Sequence, residues 1–276
     1  MGTLQDVANH YAHGNLLREI RRGVKALGRT IDTVTIEDLA PVDQFHIGGR
    51  EASEGLLSQL DLSSAKHVLD VGCGLGGTAR FVTTRYKCRV TGIDLTPEYV
   101  ETARVLCCWV GLDDRIILHQ GSALSLAFDD STFDAAYMLH VGMNIPDKSK
   151  LCSEIGRVLR PGSRFAIYDV MRTGGGELTY PLPWATTDAT SSVAEPFHYR
   201  KALQAAGFVV IAERVRRDFA LAFFNELPAK ISAASGPPPL GLHLLMGPTA
   251  TEKVMNVMEN IAVGRIAPVE LLAQKA

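Results

Sequence analysis

The chain has 276 residues, 46% hydrophobic and 21% charged, which fits one large globular domain or a domain carrying a cap and excludes disordered, collagen-like and coiled-coil classes. Twenty-eight Lys and Arg against 30 Asp and Glu leave a formal charge of -2, far from the basic balance that phosphate-backbone binding needs, so nucleic acid is not an expected partner. Cys73, Cys88, Cys107, Cys108 and Cys152 form no CxxC pair and no metal-ligand spacing with histidine, so neither a disulfide framework nor a metal site is expected.

The first twenty residues lack a basic start followed by an apolar stretch, and Asp6 stands where a myristoylation motif wants Ser or Thr. The longest apolar run, Phe219 to Phe224, is far shorter than a membrane span. The expectation is a cytoplasmic protein with no membrane partner.

In chain order, Leu16, Ile20, Val24 and Leu27 recur at helical spacing opposite Arg18, Glu19, Arg21, Arg22 and Lys25, which predicts an amphipathic helix with a solvated basic face. The segment DLAPVDQFHIGGREA follows, then a helix through Leu56, Leu57 and Leu60. From His67 short apolar runs alternate with helical patterns: HVLDV, a helix from Gly76 to Arg85, CRVTGI, a helix from Pro97 to Val110, RIILH and FDAAYML. That alternation is the signature of βαβ units and a parallel sheet. Thr96 with Pro97 reads as an N-cap and first helical position, so the loop after the second strand is tight. A helix from Lys148 to Leu159, a turn at Arg160-Pro161-Gly162 and the strand RFAIYDV come next. Beyond lie an irregular insertion from Gly174 to Pro196, the helix HYRKALQAAG and the strand FVVIAERV. Phe219 to Gly264 reads as helices interrupted by the loop SGPPPLG, with FALAFF a buried helix or an oligomer contact, and PVELLAQ leaves room for a last strand.

The chemistry is concentrated in VLDVGCGLGG. Gly72 and Gly74 let the backbone turn sharply and approach a ligand, and the helix that begins nearby offers free N–H groups. Gly72, Gly74 and Gly77 also satisfy the GxGxxG dinucleotide pattern, so glycine spacing alone leaves the ligand open. Asp70, two residues before the first glycine, is unfavourable beside a pyrophosphate but favourable beside a cationic amino acid moiety, which points to S-adenosylmethionine. Asp94 closes the second strand where an acid accepts hydrogen bonds from ribose hydroxyls, as both nucleotides would require.

VLDVGCGLGG with GIDLT, then FDAAYMLHV and VLRPGSRFAIYD, resembles in this order the class I S-adenosylmethionine-dependent methyltransferases, from His67 to about Val215. The resemblance implies a doubly wound, Rossmann-like, seven-stranded α/β sheet with helical cap insertions. It places Asp70, Gly72, Cys73 and Gly74 under the methionine part of the cofactor, Asp94 with Leu95 at the ribose, and Leu139 and His140 near the transferred methyl. Where many members carry an Asp-Ala pair for the adenine amino group, this chain has Gly121-Ser122-Ala123, so Ser122 takes that place as a hydrogen-bond acceptor beside Ala123. The flanks, with DQFHIGGREA and helices between the last two strands, are similar to the sarcosine and dimethylglycine N-methyltransferase subgroup, which implies a small-molecule acceptor and an amine nitrogen.

His140 faces the expected methyl position as a candidate general base, with a packed neighbour as its alternative. Asn144 follows on the same loop. Phe45 and His46, before Gly48-Gly49, read as a lid over the cofactor or as a core anchor for the cap. Met143 and Trp184 complete an expected acceptor pocket between the fourth strand and the caps. The organisation read from this pattern is one methyltransferase domain over 1–276: an amino-terminal helical cap to 62, a cofactor core over 63–215 with the insertion 174–196, a helical cap insertion over 216–264, and a last strand over 265–276. The oligomeric state stays open, with a homodimer among the options. The competing readings are a nicotinamide oxidoreductase, a C- or O-methyltransferase of a secondary metabolite, and a non-catalytic cofactor binder.

Overall fold

The computed structural model describes residues 4–232 and 238–276. Residues 235–237, the start of the SGPPPLG loop, lie outside the described residues. Four helices open the chain: α1 (Leu4–Tyr11), α2 (Leu16–Ala26), α3 (Ile36–Asp43) and α4 (Gly49–Leu57). Leu16, Ile20 and Val24 of α2 are buried as the spacing predicts, whereas Leu27 is the C-cap and stands 41% exposed, because the helix ends before it. A capping box fixes the start of α3: Thr35 Oγ1 accepts from the Asp38 amide at 3.2 Å and Asp38 Oδ2 accepts from the Thr35 amide at 2.9 Å.

The βα units follow in the expected places: β1 (His67–Val71), α5 (Gly77–Tyr86), β2 (Arg89–Asp94), α6 (Pro97–Trp109), β3 (Ile116–Gln120), β4 (Phe133–Leu139) and α7 (Lys148–Val158). Next come β5 (Leu159–Arg172), α8 (Pro196–Ala205), β6 (Phe208–Val215), α9 (Arg217–Ser232), α10 (His243–Met246), α11 (Ala250–Ala262) and β7 (Ile266–Lys275). Arg160-Pro161-Gly162 is not the boundary turn the sequence suggested. These residues lie inside β5, where the register against β4 shifts between Phe133 and Ala135 and Gly162 adopts φ +77°. Leu159 already pairs with Phe133, so the extra residues bulge out while the strand continues.

The seven strands run in the order β3-β2-β1-β4-β5-β7-β6, with β7 antiparallel to both neighbours. Alternate residues of the central strands feed two apolar layers, as a sheet covered on both faces requires. Leu69 and Val71 pack with Ile155, Leu203 and Val269 on one face, and Val68 with Val82, Val100 and Tyr137 on the other. Strand order reverses between β1 and β4, and ligands of open α/β sheets bind at the carboxyl ends beside such a point. Over that edge two further apolar clusters form the caps. One joins α2 and α3 to Tyr99, Leu106 and Leu245, the other joins the 174–196 insertion to α9 and α11 through Trp184, Ala220, Phe224 and Val257. FALAFF is thus partly buried, with Ala220 and Phe224 facing Trp184's cluster. No helix among the described residues is long and apolar enough to cross a membrane.

Candidate active site

The glycine turn is built by backbone hydrogen bonds and by the absence of side chains. The amides of Gly72 and Cys73 both donate to the Ile93 carbonyl, at 2.8 and 3.0 Å, which ties the end of β1 to β2. Gly72 has φ +73°, and a Cβ there would stand 2.3 Å from Val141 Cγ2 on the β4 loop. Gly77 is needed for a different reason, since its Cβ would meet Asp43 Oδ1 at 2.4 Å. Gly74, at φ +52°, faces open space. Its amide donates to Asp94 Oδ2 at 2.9 Å, while Asp94 Oδ1 accepts from the Thr96 amide at 2.9 Å. Asp94 therefore braces the turn from β2, and the Thr96 side chain makes no cap bond.

A chamber opens on this turn. Asp70, Gly72, Cys73, Gly74, Asp94, Leu95, Ser122, Ala123, Leu139 and His140, all singled out in the sequence, line it together. Ser122 accepts the Leu124 amide at 3.2 Å, so part of its hydroxyl's capacity is spent on its own turn. Sequence reasoning missed two tyrosines. Tyr99 of α6 is buried against the chamber with its hydroxyl unpartnered, and Tyr11 of α1 reaches in and donates to Asn144 Oδ1 at 3.2 Å. Both look like core positions in an amphipathic pattern; only the folded geometry separates a chamber wall from a core.

A second chamber adjoins the first, and Tyr11, Phe45, His46 and His140 line both. Met143 and Trp184 lie together in its wall, with Trp184 Nε1 donating to Ser191 Oγ at 3.1 Å. Asn144 does not. The one-turn helix Gly142–Asn144 after β4 points it into the first chamber beside Tyr11. Phe223 and Phe224 of α9, Met246 of α10 and Val254 and Val257 of α11 extend the wall.

His140 is held by backbone conformation. Its φ is +53°, rarely adopted by a residue with a side chain, and its amide donates to the Tyr168 carbonyl at 2.7 Å. The ring stacks on Tyr168, centroids 5.1 Å apart, and its Nε2 is buried with no partner. Burial pushes its pKa well below the ordinary histidine value, and nearby His46 adds to the shift, so the ring is neutral at pH 7. The loop carrying it is clamped from behind. Lys148 Nζ donates to the carbonyls of Gly142 and Ser192, at 2.7 and 2.8 Å, and Tyr199 donates to buried Asp169 at 2.6 Å.

Residues 69–167 match the methyltransferase domain family. Methyltransferase GfsG of Streptomyces halstedii is 32% identical over 171 residues, 62% of this chain and 59% of that protein. The sterol 4-C-methyltransferase strm-1 of Caenorhabditis elegans is 34% identical over 118 residues, 43% of this chain and 35% of that protein. The matched stretch thus spans between about a third and three-fifths of these relatives' length. Among solved structures, geranyl diphosphate C-methyltransferase of Streptomyces coelicolor A3(2), in complex with Mg2+, geranyl diphosphate and S-adenosyl-L-homocysteine, superimposes with a TM-score of 0.67 at 19% identity, covering 86% of this chain and 91% of that one. Residues 69–167 match a methyltransferase domain, and the fold around them is that of the class I methyltransferases, whose cofactor is S-adenosylmethionine.

The first chamber fits that group on its own terms. It offers two carboxyl groups to a cationic, ribose-bearing molecule, an open approach over Gly74 and an unpartnered tyrosine hydroxyl. Tyr99→Phe should therefore weaken S-adenosylmethionine binding by roughly 0.5–1.5 kcal/mol, about two- to tenfold, without lowering the stability of the empty protein. Calorimetric titration with a thermal melt checks both halves; unchanged affinity would mean the hydroxyl does not meet the cofactor.

Proton linkage gives a second test. Burial pushes the Asp70 carboxyl up to about 7, against the Tyr137 hydroxyl that donates to it at 2.9 Å, and the Asp94 charge adds to the rise. A cation in the chamber favours the ionised form, so below pH 7 binding has to expel a proton. S-adenosylmethionine affinity should fall as pH drops below 7, approaching tenfold per unit. Titrations at pH 6.5 in two buffers of different ionisation enthalpy should report proton release, and none would contradict the placement of Asp70.

Proposed function

We propose that the protein transfers the methyl group of S-adenosylmethionine to carbon or oxygen of a small, largely apolar acceptor seated in the second chamber. The observation that carries this reading is the wall of that chamber. Phe45, Met143, Trp184, Phe223, Phe224 and Val257 enclose it, it meets the cofactor chamber at His46 and His140, and no charged side chain among the described residues lines it. A protonated amine seated here would lose its water with no carboxylate to offset the loss, so the amine nitrogen implied by the flanking resemblance is the weaker reading. The sterol 4-C-methyltransferase among the relatives supports carbon as an acceptor atom.

Asp70, Asp94, Tyr99 and the backbone of the glycine turn would hold the cofactor, which supplies an electrophilic methyl group on a sulfonium. The chain's part is placement: Tyr11 and Phe45 separate the reacting groups from water, and the shared wall of the chambers brings acceptor and methyl into line. Incubation with methyl-labelled S-adenosylmethionine and two acceptor pools tests the reading, one a solvent extract of neutral lipids and phenols, the other water-soluble amines. Label is expected in the first pool; label only in the amines would overturn the apolar acceptor.

A further inference from the structure

At the junction of the two chambers, the surroundings of one histidine decide which of its nitrogens carries the proton. His46 Nε2 lies 2.8 Å from the Gly49 carbonyl oxygen and 2.9 Å from Ser53 Oγ. A carbonyl oxygen only accepts, so Nε2 carries the hydrogen and Nδ1 is the bare acceptor. Ser53 donates onward to Gln44 Oε1 at 3.2 Å and is free to receive from the ring. Among the described residues Nδ1 has no hydrogen-bond partner and keeps some exposure, and the residue lines both chambers. His140 differs: its Nε2 is buried without a partner, and among the described residues no group hydrogen-bonds either nitrogen to fix the tautomer.

We propose that His46 Nδ1 receives the proton that methylation makes surplus on the acceptor, with the Gly49 carbonyl and the Ser53 hydroxyl as the groups that position the ring. The inference rests on the carbon- or oxygen-acceptor reading above. The acceptor's electron pair forms the new bond to the methyl carbon, and the pair of the broken S–C bond stays on sulfur. The surplus proton of the hydroxyl, or of the carbon beside the resulting cation, passes to Nδ1. The positive charge that leaves the sulfonium ends on an imidazolium whose Nε2–H is held by Gly49 and whose Nδ1–H, for an oxygen acceptor, is held by the ether product.

A weak base is enough for this step, because a protonated ether or a carbocation is a far stronger acid than an imidazolium. Burial lowers the pKa of His46 to about 4 in the empty protein, opposed by the Gly49 carbonyl, so the ring is neutral and ready to accept at pH 7. The groups that face it are His140 at the end of β4, centroids 6.1 Å apart, Tyr168 of β5 at 6.4 Å, Ser53 of α4, Gln44, and Tyr11 across the chamber. Among the described residues no charged group contributes to the shift.

The first readout is nitrogen-detected NMR of the full chain, labelled with 15N-histidine and saturated with S-adenosylhomocysteine at pH 7.5. His46 is expected as the Nε2–H tautomer, and should stay so in Ser53→Ala, where the Gly49 carbonyl remains; an Nδ1–H ring in the wild type would overturn the proposal. The second readout uses 4-hexylphenol and hexylbenzene as probes that differ only in a hydroxyl. The wild type should prefer the phenol by about tenfold, and His46→Phe should remove the preference. A preference that survives in His46→Phe and vanishes in His140→Phe assigns the proton to His140 and overturns this inference alone, as does equal binding of both probes to the wild type. Binding of neither probe overturns the apolar-acceptor reading on which it stands.

Discussion

Arg80→Met should destabilise the protein by about 3–5 kcal/mol, with the loss appearing at the glycine turn before the rest of the sheet. Arg80 of α5 and Asp43 at the end of α3 form an ion pair in which the side chains are 0% and 1% exposed. The pair joins the amino-terminal helices to the helix that starts at the turn, and Asp43 also lies against Gly77 and lines the cofactor chamber. Removing the guanidinium leaves a carboxylate buried without a counter-charge, which costs far more than the pair contributes when intact. Urea unfolding should show a lower midpoint for Arg80→Met and a partial return in the double variant Arg80→Met, Asp43→Asn, where the stranded charge is gone. A double variant no more stable than the single one would mean that packing, not charge, holds this contact.

Asp94→Ala should weaken S-adenosylmethionine by about 1.5–3 kcal/mol, roughly 10- to 150-fold. Two losses combine. In the proposed site the carboxylate would accept the ribose hydroxyls at the end of β2, and it receives the Gly74 and Thr96 amides, so the turn loses its brace. Asp94→Asn keeps one carbonyl oxygen for one amide and should fall between wild type and Ala. Competition titrations across the three proteins read this directly. Equal affinities would remove Asp94 from the cofactor site.

The cofactor half of the site was legible because its residues sit at element ends that the sequence marks strongly. β1, β2 and β4 follow from short apolar-rich runs, and Asp70, Gly72, Asp94, Leu95, Leu139 and His140 lie at or within a position or two of their carboxyl ends. The acceptor half was legible only in part. Trp184 and Met143 stand in loops, where an aromatic or a methionine draws attention, and they did meet in one wall. Tyr11, Phe223, Phe224 and Val257 stand on amphipathic helices, where the same spacing serves a core, and nothing in the pattern says which apolar face borders a chamber. Asn144 was misplaced for a related reason. The single helical turn Gly142–Asn144 rotates successive side chains apart, sending Met143 and Asn144 to different chambers. The bulge at Arg160–Gly162 mimicked a turn because Pro and Gly serve both, and only the pairing of Leu159 with Phe133 distinguishes them.

Calorimetric titration of the wild type with S-adenosylmethionine and, separately, with NAD decides which nucleotide the glycine turn takes. Saturable one-to-one binding of S-adenosylmethionine, displaced by S-adenosylhomocysteine, is expected, with no measurable binding of NAD, whose pyrophosphate would meet Asp70. Binding of NAD at the glycine turn, or no binding of S-adenosylmethionine by the folded protein, would contradict this expectation.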